Sequence, residues 1–278
     1  MPGLVVQDDV VDDCCGGSTV MDCSGENGAL PPEGAGARDA SGGAGVETPF
    51  AAAPESLRNA FGLRRCAGVE RVPLYRSREL TEATADDILL MRSLGIATVF
   101  DLRKQAERDL SPEPAIVCEA FDVRICTVDL QDDENRTRAT MAPNVKAAYG
   151  KPGQRMIDLY GIMATHAGEV REIVRQILSA DEPCLVHCAN GKDRAGIVCA
   201  CVQRFYGISR ETIVEDYLAT NVCNEAINRR DLRRYAGIMQ PEEVEVLAAM
   251  FEARIEYLDA FFSAIDERYG SFGAWMGM

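Results

Sequence analysis

The first ordered stretch of the chain changes from helical to extended spacing. Residues Thr81–Arg92 carry apolar side chains at helical intervals, and Thr84 is a suitable N-cap. Ile96–Phe100 is a continuous apolar run, typical of a buried strand, and it leads into Asp101. We predict a second strand at Phe121–Ile125.

The second half of the chain repeats the alternation and adds more helix. The patterns predict a helix at Tyr160–Leu178, a strand at Cys184–His187, helices at Ile197–Phe205 and Ser209–Tyr217, and one or two helices within Pro241–Arg268. Strands that alternate with helices are typical of an α/β fold whose sheet is covered on both faces.

Two polar segments interrupt these patterns. Residues 1–55 are rich in glycine and poor in aromatic side chains, so we expect a disordered tail before a domain at 56–278. Residues 131–153 are polar and contain Gly and Pro, which predicts a long connection. Long connections inside a domain often form lids or binding loops.

Composition and charge narrow the function classes. The 278 residues are 47% hydrophobic and carry a net charge of -15, of which residues 1–55 contribute -9. Such acidity argues against nucleic acid and anionic membrane surfaces as partners. We find neither a secretory signal nor an integral membrane segment. The eleven cysteines, an odd number, indicate free thiols and a cytoplasmic location. The oligomeric state is left open.

A cysteine and an arginine separated by five residues occur three times, at Cys118–Arg124, Cys188–Arg194 and Cys223–Arg229. Only the middle copy lies between a predicted strand and a predicted helix, with Gly191 inside the loop. There, successive backbone N–H groups can line a cup of phosphate size, and glycine permits the positive φ that such a cup requires. The spacing is informative only in this context.

Each side chain of the loop then has a chemical task. The amides and Arg194 favour a thiolate at Cys188, which is the nucleophile that phosphoryl transfer needs. Arg194 can bind two phosphate oxygens, and Asp193 is the candidate general acid. Lys192 would add charge at the rim and would favour substrates with more than one phosphate, such as phosphoinositides. The remaining candidate substrate-binding residues are Ala189, Asn190, Gly191, Ala195 and Gly196.

Two residues next to the loop are possible supports. His187 fits a role in holding the loop in shape better than a role as a base. Asp101 would either orient the loop, assist acid catalysis, or be a plain carboxylate at a strand end. A buried structural thiol is the alternative for Cys188.

The segment His187-Cys188-x-x-Gly191-Lys192-Asp193-Arg194-x-Gly196 resembles the signature of the bacterial-type tyrosine/lipid phosphatases, within the protein-tyrosine-phosphatase superfamily. The resemblance implies a mostly parallel central sheet of four to five strands flanked by helices, with a helical C-terminal region. It also implies no metal cofactor, an acid at Asp193, and helical lid segments, for which residues 129–160 and 222–250 are candidates.

The resemblance implies a phosphorylated protein or a phosphoinositide as the substrate, and it leaves three functions open. The first is hydrolysis of phosphotyrosine, with phosphoserine and phosphothreonine as further substrates. The second is hydrolysis of phosphoinositides or inositol phosphates. The third is a low-turnover phosphate-binding adaptor, which Ala195 favours, because members usually carry a hydroxyl there that helps the thiolate to leave. The stretch 59–64 also departs from the family pattern.

Overall fold

A computed structural model of the protein describes residues 61–128 and 150–278. The predicted disordered tail at 1–55 lies outside the described residues. The same holds for most of the predicted connection at 131–153 and for residues 129–149 of the first lid candidate. The division into a tail and a domain therefore stays a prediction.

Five strands form one sheet in the order β1-β2-β5-β3-β4. Strand β1 pairs antiparallel with β2, and all other neighbours are parallel. This arrangement confirms the expected mostly parallel sheet. The strands are β1 Arg64–Arg65, β2 Leu74–Ser77, β3 Thr98–Asp101, β4 Asp122–Ile125 and β5 Cys184–His187.

Helices occupy most of the remaining described residues. They are α1 Ala85–Ser93, α2 Gln105–Leu110, α3 Ala115–Ala120, α4 Gln154–Thr165, α5 Ala167–Leu178, α6 Arg194–Phe205, α7 Arg210–Cys223, α8 Glu225–Ala236, α9 Pro241–Phe251, α10 Ile255–Tyr269 and α11 Phe272–Met276. Thr84 caps α1 with a capping box, as predicted. Within the described ranges, none of these helices has both the length and the apolar character that a membrane crossing requires.

The single helix predicted at Tyr160–Leu178 was wrong in two respects. The helical region begins at Gln154, and it is broken at His166, whose backbone leaves the helical conformation. Both helices bury apolar residues in the same core, so the apolar spacing continues across the break and does not reveal it. Residues 154–160, expected within a lid, therefore belong to a core helix.

Helices cover both faces of the sheet. On one face α4, α5, α6 and α10 pack against side chains such as Val186, and on the other α1 and α3 pack against side chains such as Leu185. Neighbouring residues of β5 thus point into different cores, as the two-residue period of a strand requires. Helices α8 and α9, within the second lid candidate, share a third, smaller apolar cluster.

Three parallel strands end side by side. In the register of the sheet His187, the last residue of β5, lies opposite Ser77 of β2 and Asp101 of β3. The carboxyl ends of neighbouring parallel strands are where α/β proteins commonly place their binding sites. The segment that follows His187 therefore starts at the centre of this edge.

The short C-terminal helix α11 was not predicted, and it carries the only tryptophan of the chain. Trp275 is fully buried and packs its ring against Phe261 and Phe272. We expect Trp275→Ala to lower the free energy of unfolding by about 3–5 kcal/mol, because it leaves a large cavity in the main core. Urea titration followed by far-UV circular dichroism measures this without the indole as a probe.

The matched control for this prediction is Ile238→Ala, at an exposed apolar position. Its unfolding free energy should stay within about 0.5 kcal/mol of the original chain. Equal losses in the two variants would contradict the packing role of α11.

Candidate active site

The residues between β5 and α6 form a loop of successive bends, neither extended nor helical. Cys188 follows β5 directly and is 2% exposed, whereas Arg194 begins α6 and is 7% exposed. The two side chains predicted to act together therefore stand at opposite ends of one short loop. Since the loop leads into the N-terminus of a twelve-residue helix, the helix dipole adds positive potential there.

Gly191 determines how closely the loop approaches the sheet. Its φ is +61°, in the left-handed region. A Cβ atom built on it would lie 2.3 Å from the carbonyl oxygen of Ser77, the last residue of β2. No other residue type fits without moving the loop away from the strand.

The Arg194 guanidinium binds a carboxylate that the sequence did not reveal. Its Nη1 and Nη2 donate to Glu107 at 2.5 and 2.6 Å, and Nη1 also donates to the Leu102 carbonyl at 3.1 Å. Burial disfavours the charged guanidinium, but Glu107 and the nearby Cys188 outweigh this effect and raise the pKa of Arg194. Arg194 therefore stays cationic and interacts electrostatically with Cys188.

Glu107 lies on α2, a helix that was not predicted. Burial favours its neutral form, but the hydrogen bonds and charge of Arg194 outweigh burial and hold the pKa of Glu107 below its usual range. The same carboxylate also accepts from the backbone N–H of Lys104 at the start of α2. Glu107 thus holds Arg194 in one orientation.

Asp193, the candidate acid, is the residue immediately before α6. Its Oδ1 accepts a hydrogen bond of 2.8 Å from the Tyr160 hydroxyl and lies 3.4 Å from the Lys192 ammonium. Tyr160 belongs to α4, so the loop is tied to the helical layer as well as to the sheet. No sequence pattern indicated this partner.

Lys192 does not lie at the rim, where the sequence analysis expected it. Its ammonium donates to the main-chain carbonyls of Met250 and Glu252, at the C-terminal end of α9, and the residue is 2% exposed. The unsatisfied carbonyls at a helix end attract a cation, which explains this position. Lys192 therefore does not supply charge at the rim for a second phosphate.

Asp101 and His187 belong to a buried network centred on Arg103. The guanidinium of Arg103 donates to Asp101 at 2.9 Å and to Glu113 at 2.7 Å, and it contacts Glu79 at 3.3 Å. Burial disfavours the ionised form of Asp101, but His187 and Arg103 outweigh it and keep the pKa of Asp101 below its usual range. Asp101, held in this way, supports the strand ends from which the loop starts.

The His187 imidazole lies within this network. Its Nε2 is 3.1 Å from Glu113 and 3.8 Å from Asp101. These three residues bring potential metal-ligand atoms within 4.8 Å of one another. Arg103 already supplies a cation to both carboxylates. We therefore interpret these residues as a buried ion-pair network that includes His187, the residue before Cys188.

The other residues predicted for the loop make main-chain contacts or lie buried on α6. The Ala189 carbonyl accepts from the Glu79 N–H at 3.4 Å, and the Asn190 carbonyl accepts from the Asn224 side chain at 3.0 Å. Ala195 and Gly196 are fully or nearly fully buried in the first turn of α6. Their role in substrate binding stays a prediction.

One family model and two known proteins match this chain in sequence. A model described as "Tyrosine phosphatase family" matches residues 59–278. Triple specificity protein phosphatase PtpB of Mycobacterium tuberculosis is 31% identical over 233 residues, covering 73% of this chain and 84% of the relative. A protein of Cupriavidus necator named "Putative tyrosine-protein phosphatase H16_A0669" is 30% identical over 227 residues, covering 78% of this chain and 79% of the relative.

Among solved structures, that of TpbA from P. aeruginosa in complex with pTyr is 16% identical, with a TM-score of 0.36. The match covers 77% of this chain and 93% of that one.

The contact beneath Gly191 predicts a stability difference between two glycines. Gly191 and Gly207 both have positive φ, but a Cβ at Gly207 meets nothing within 4 Å. We expect Gly207→Ala to cost about 1 kcal/mol of unfolding free energy, from backbone strain alone. Gly191→Ala should cost clearly more, because the overlap with Ser77 displaces the loop. Urea titration of both variants decides; equal costs would refute the close approach.

The lowered pKa of Glu107 predicts how stability depends on pH. A carboxyl whose pKa is lower in the folded state stabilises the protein above its unfolded pKa, near 4.5, and this stabilisation disappears as the pH falls through the folded value. Unfolding free energies measured from pH 7 down to about 3 should therefore fall less steeply in Glu107→Gln than in the original chain. Parallel curves would contradict the ion pair with Arg194.

Proposed function

Because this chain belongs to the tyrosine phosphatase family, as the sequence predicted, we propose that it hydrolyses phosphotyrosine through a covalent phosphocysteine intermediate at Cys188. Phosphoserine and phosphothreonine are further candidate substrates of the same chemistry. The observation that carries the proposal is the loop itself, with a buried cysteine at one end and a buried arginine at the other.

The hydrogen bonds of Arg194 support its role in binding phosphate. A guanidinium has five N–H donors, and the contacts to Glu107 and Leu102 use three of them. The other two, on Nε and Nη2, lie on the same edge of the guanidinium. That edge matches two oxygens of a phosphate dianion.

In the first step the Cys188 thiolate attacks phosphorus, and the bond from phosphorus to the leaving oxygen breaks. Asp193 donates a proton to that oxygen, so the substrate leaves as a neutral alcohol or phenol. Arg194 and the loop amides stabilise the negative charge on the transferred oxygens.

In the second step water attacks the phosphorus of phosphocysteine. Asp193, now a carboxylate, takes a proton from the water, and the sulfur–phosphorus bond breaks to return the thiolate and inorganic phosphate. Glu107 acts on both steps by holding Arg194 in place, and the Arg103 network acts by supporting the strand ends below the loop.

Two other candidates remain, each with an observation in its favour. The relative named a triple specificity phosphatase favours more than one substrate class, and phosphoinositides are the second candidate class, although the buried position of Lys192 removes the sequence-based reason for them. A low-turnover adaptor draws on Ala195. Assay of phosphopeptides, phosphoinositides and inositol phosphates side by side distinguishes the substrate classes, and tight binding without phosphate release would favour the adaptor.

We keep the cytoplasm as the proposed location. The cysteines in the described residues are free thiols, and several of them, such as Cys199 and Cys201, are buried. Thiols persist in reducing compartments, where a thiolate nucleophile also survives.

The proposal predicts that Cys188→Ser abolishes activity. Hydrolysis of a small aryl phosphate should fall by at least about a thousandfold, because a serine hydroxyl at this position is not ionised and is a poor nucleophile. Steady-state release of the phenol and of inorganic phosphate measures both products.

The matched control is Cys118→Ser, which removes an exposed cysteine with the same spacing to an arginine, Arg124. This variant should keep the original rate. Equal activity in Cys188→Ser and the original chain would refute the phosphocysteine mechanism, whichever substrate is hydrolysed.

A further inference from the structure

A chain of hydroxyl groups runs from the loop into the core. The Tyr160 hydroxyl donates to Asp193 Oδ1 at 2.8 Å, and the Tyr217 hydroxyl lies 2.6 Å from that of Tyr160. Both tyrosines are buried, with exposed fractions of 0% and 1%. Because the second contact joins two phenols, Tyr217 must donate to Tyr160 whenever Tyr160 donates to Asp193.

Packing fixes both phenol rings. Tyr160 lies on α4 and Tyr217 on α7, and their rings meet edge to face with centroids 6.4 Å apart. The ring of Tyr257, on α10, packs against Tyr160 at 5.8 Å. Three helices therefore hold the hydroxyl chain in one geometry, independently of the loop that it contacts.

The inner end of the chain meets a cationic region. At Gly196 a Cβ atom would lie 3.1 Å from the Tyr217 ring and 3.2 Å from Arg76 Nη1, so a side chain here would crowd both groups. Arg76 is also close enough to Tyr217 to act on it electrostatically. Arg76 and Arg64 are both buried, and among the residues that the structure describes they face one carboxylate, Asp216. This buried group of three carries an excess of one positive charge.

The charges at the two ends of the chain align its hydroxyl dipoles. A cation at the inner end attracts phenol oxygens and repels hydroxyl hydrogens, and a carboxylate at the outer end attracts the hydrogens. Both effects direct the O–H bonds towards Asp193. Burial, together with the negative charge of Asp193, raises the pKa of Tyr160 and Tyr217 well above its ordinary value, so both stay neutral donors.

We propose that Tyr160 and Tyr217 are positioning residues for Asp193: they anchor its Oδ1 and leave Oδ2 to exchange the proton. This inference rests on the proposed function, in which Asp193 is first an acid and then a base. A fixed Oδ1 keeps Oδ2 in one place for both steps.

The groups that face Asp193 come from several elements. They are Tyr160 from α4, Tyr217 from α7, Tyr257 from α10, and Lys192 and Arg194 from the loop and the start of α6. Of these, Lys192 lies 3.4 Å from Oδ1. Removal of one tyrosine hydroxyl therefore takes away one of several contacts of Asp193.

The test is a comparison of Tyr160→Phe and Tyr217→Phe with the original chain, using an aryl phosphate. We expect kcat to fall about tenfold in Tyr160→Phe, since a hydrogen bond to a charged group is lost, and about twofold to threefold in Tyr217→Phe, where Tyr160 keeps its own contact. KM should stay near its original value in both variants, because Arg194 and the loop, which bind the phosphate, keep their own contacts.

A double-mutant cycle separates this role from general packing. In an Asp193→Ala background, Tyr160→Phe should leave the remaining rate unchanged, since the acceptor is already gone. The matched control, Tyr75→Phe, removes a hydroxyl from a buried tyrosine in the core on the other face of the sheet and should keep both kcat and KM. A loss confined to KM, or the same loss of rate with and without Asp193, would overturn the proposal.

The same cycle measured by urea unfolding does not depend on turnover. Tyr160→Phe should destabilise the original chain more than the Asp193→Ala variant, and additive effects would count against the link between these residues. If the original chain released no phosphate from any substrate, the proposed function would fail, and this cycle would still decide whether the tyrosines hold Asp193.

Discussion

The site depends on the need to neutralise one buried guanidinium. Arg194 begins α6 beneath the surface, where an unpaired charge would be costly. The carboxylate of Glu107, on α2, accepts two hydrogen bonds from it. This pairing places α2 next to the loop and leaves the adjacent edge of the guanidinium, formed by Nε and Nη2, outside the contact with Glu107. Both the orientation of Arg194 and the position of a short, marginal helix follow from the same ion pair.

Two further networks hold the loop from different sides. Arg103 binds the carboxylates of Asp101 and Glu113, which lie next to His187 near the ends of β3 and β5. On the other side, Tyr160 and Tyr217 connect Asp193 to the helical layer and to the buried charge near Arg76. Because one network contacts the residue before Cys188 and the other the residue before Arg194, both ends of the loop are fixed by structure outside it.

Local patterns predicted much of the framework correctly. The strand Cys184–His187 and the Thr84 cap were found where expected, because a short apolar run and a capping box are local signals. Strand β2 was not predicted, since Arg76 in its middle looks like a surface residue until Asp216 and Thr220 are seen to bind it. The break at His166 and the burial of Lys192 also depend on contacts with distant elements.

By itself the sequence determined the α/β class, the family, and the loop from Cys188 to Arg194, because these depend on residue types at short, local spacing. The tertiary structure alone decided which partners surround that loop. Glu107 lies 87 residues from Arg194 along the chain, Tyr160 lies 33 residues from Asp193, and Tyr217 lies 57 residues from Tyr160. A hydrogen bond depends on distance in space. The packing of helices on the sheet sets that distance, and the local spacing of residue types in the sequence does not reveal it.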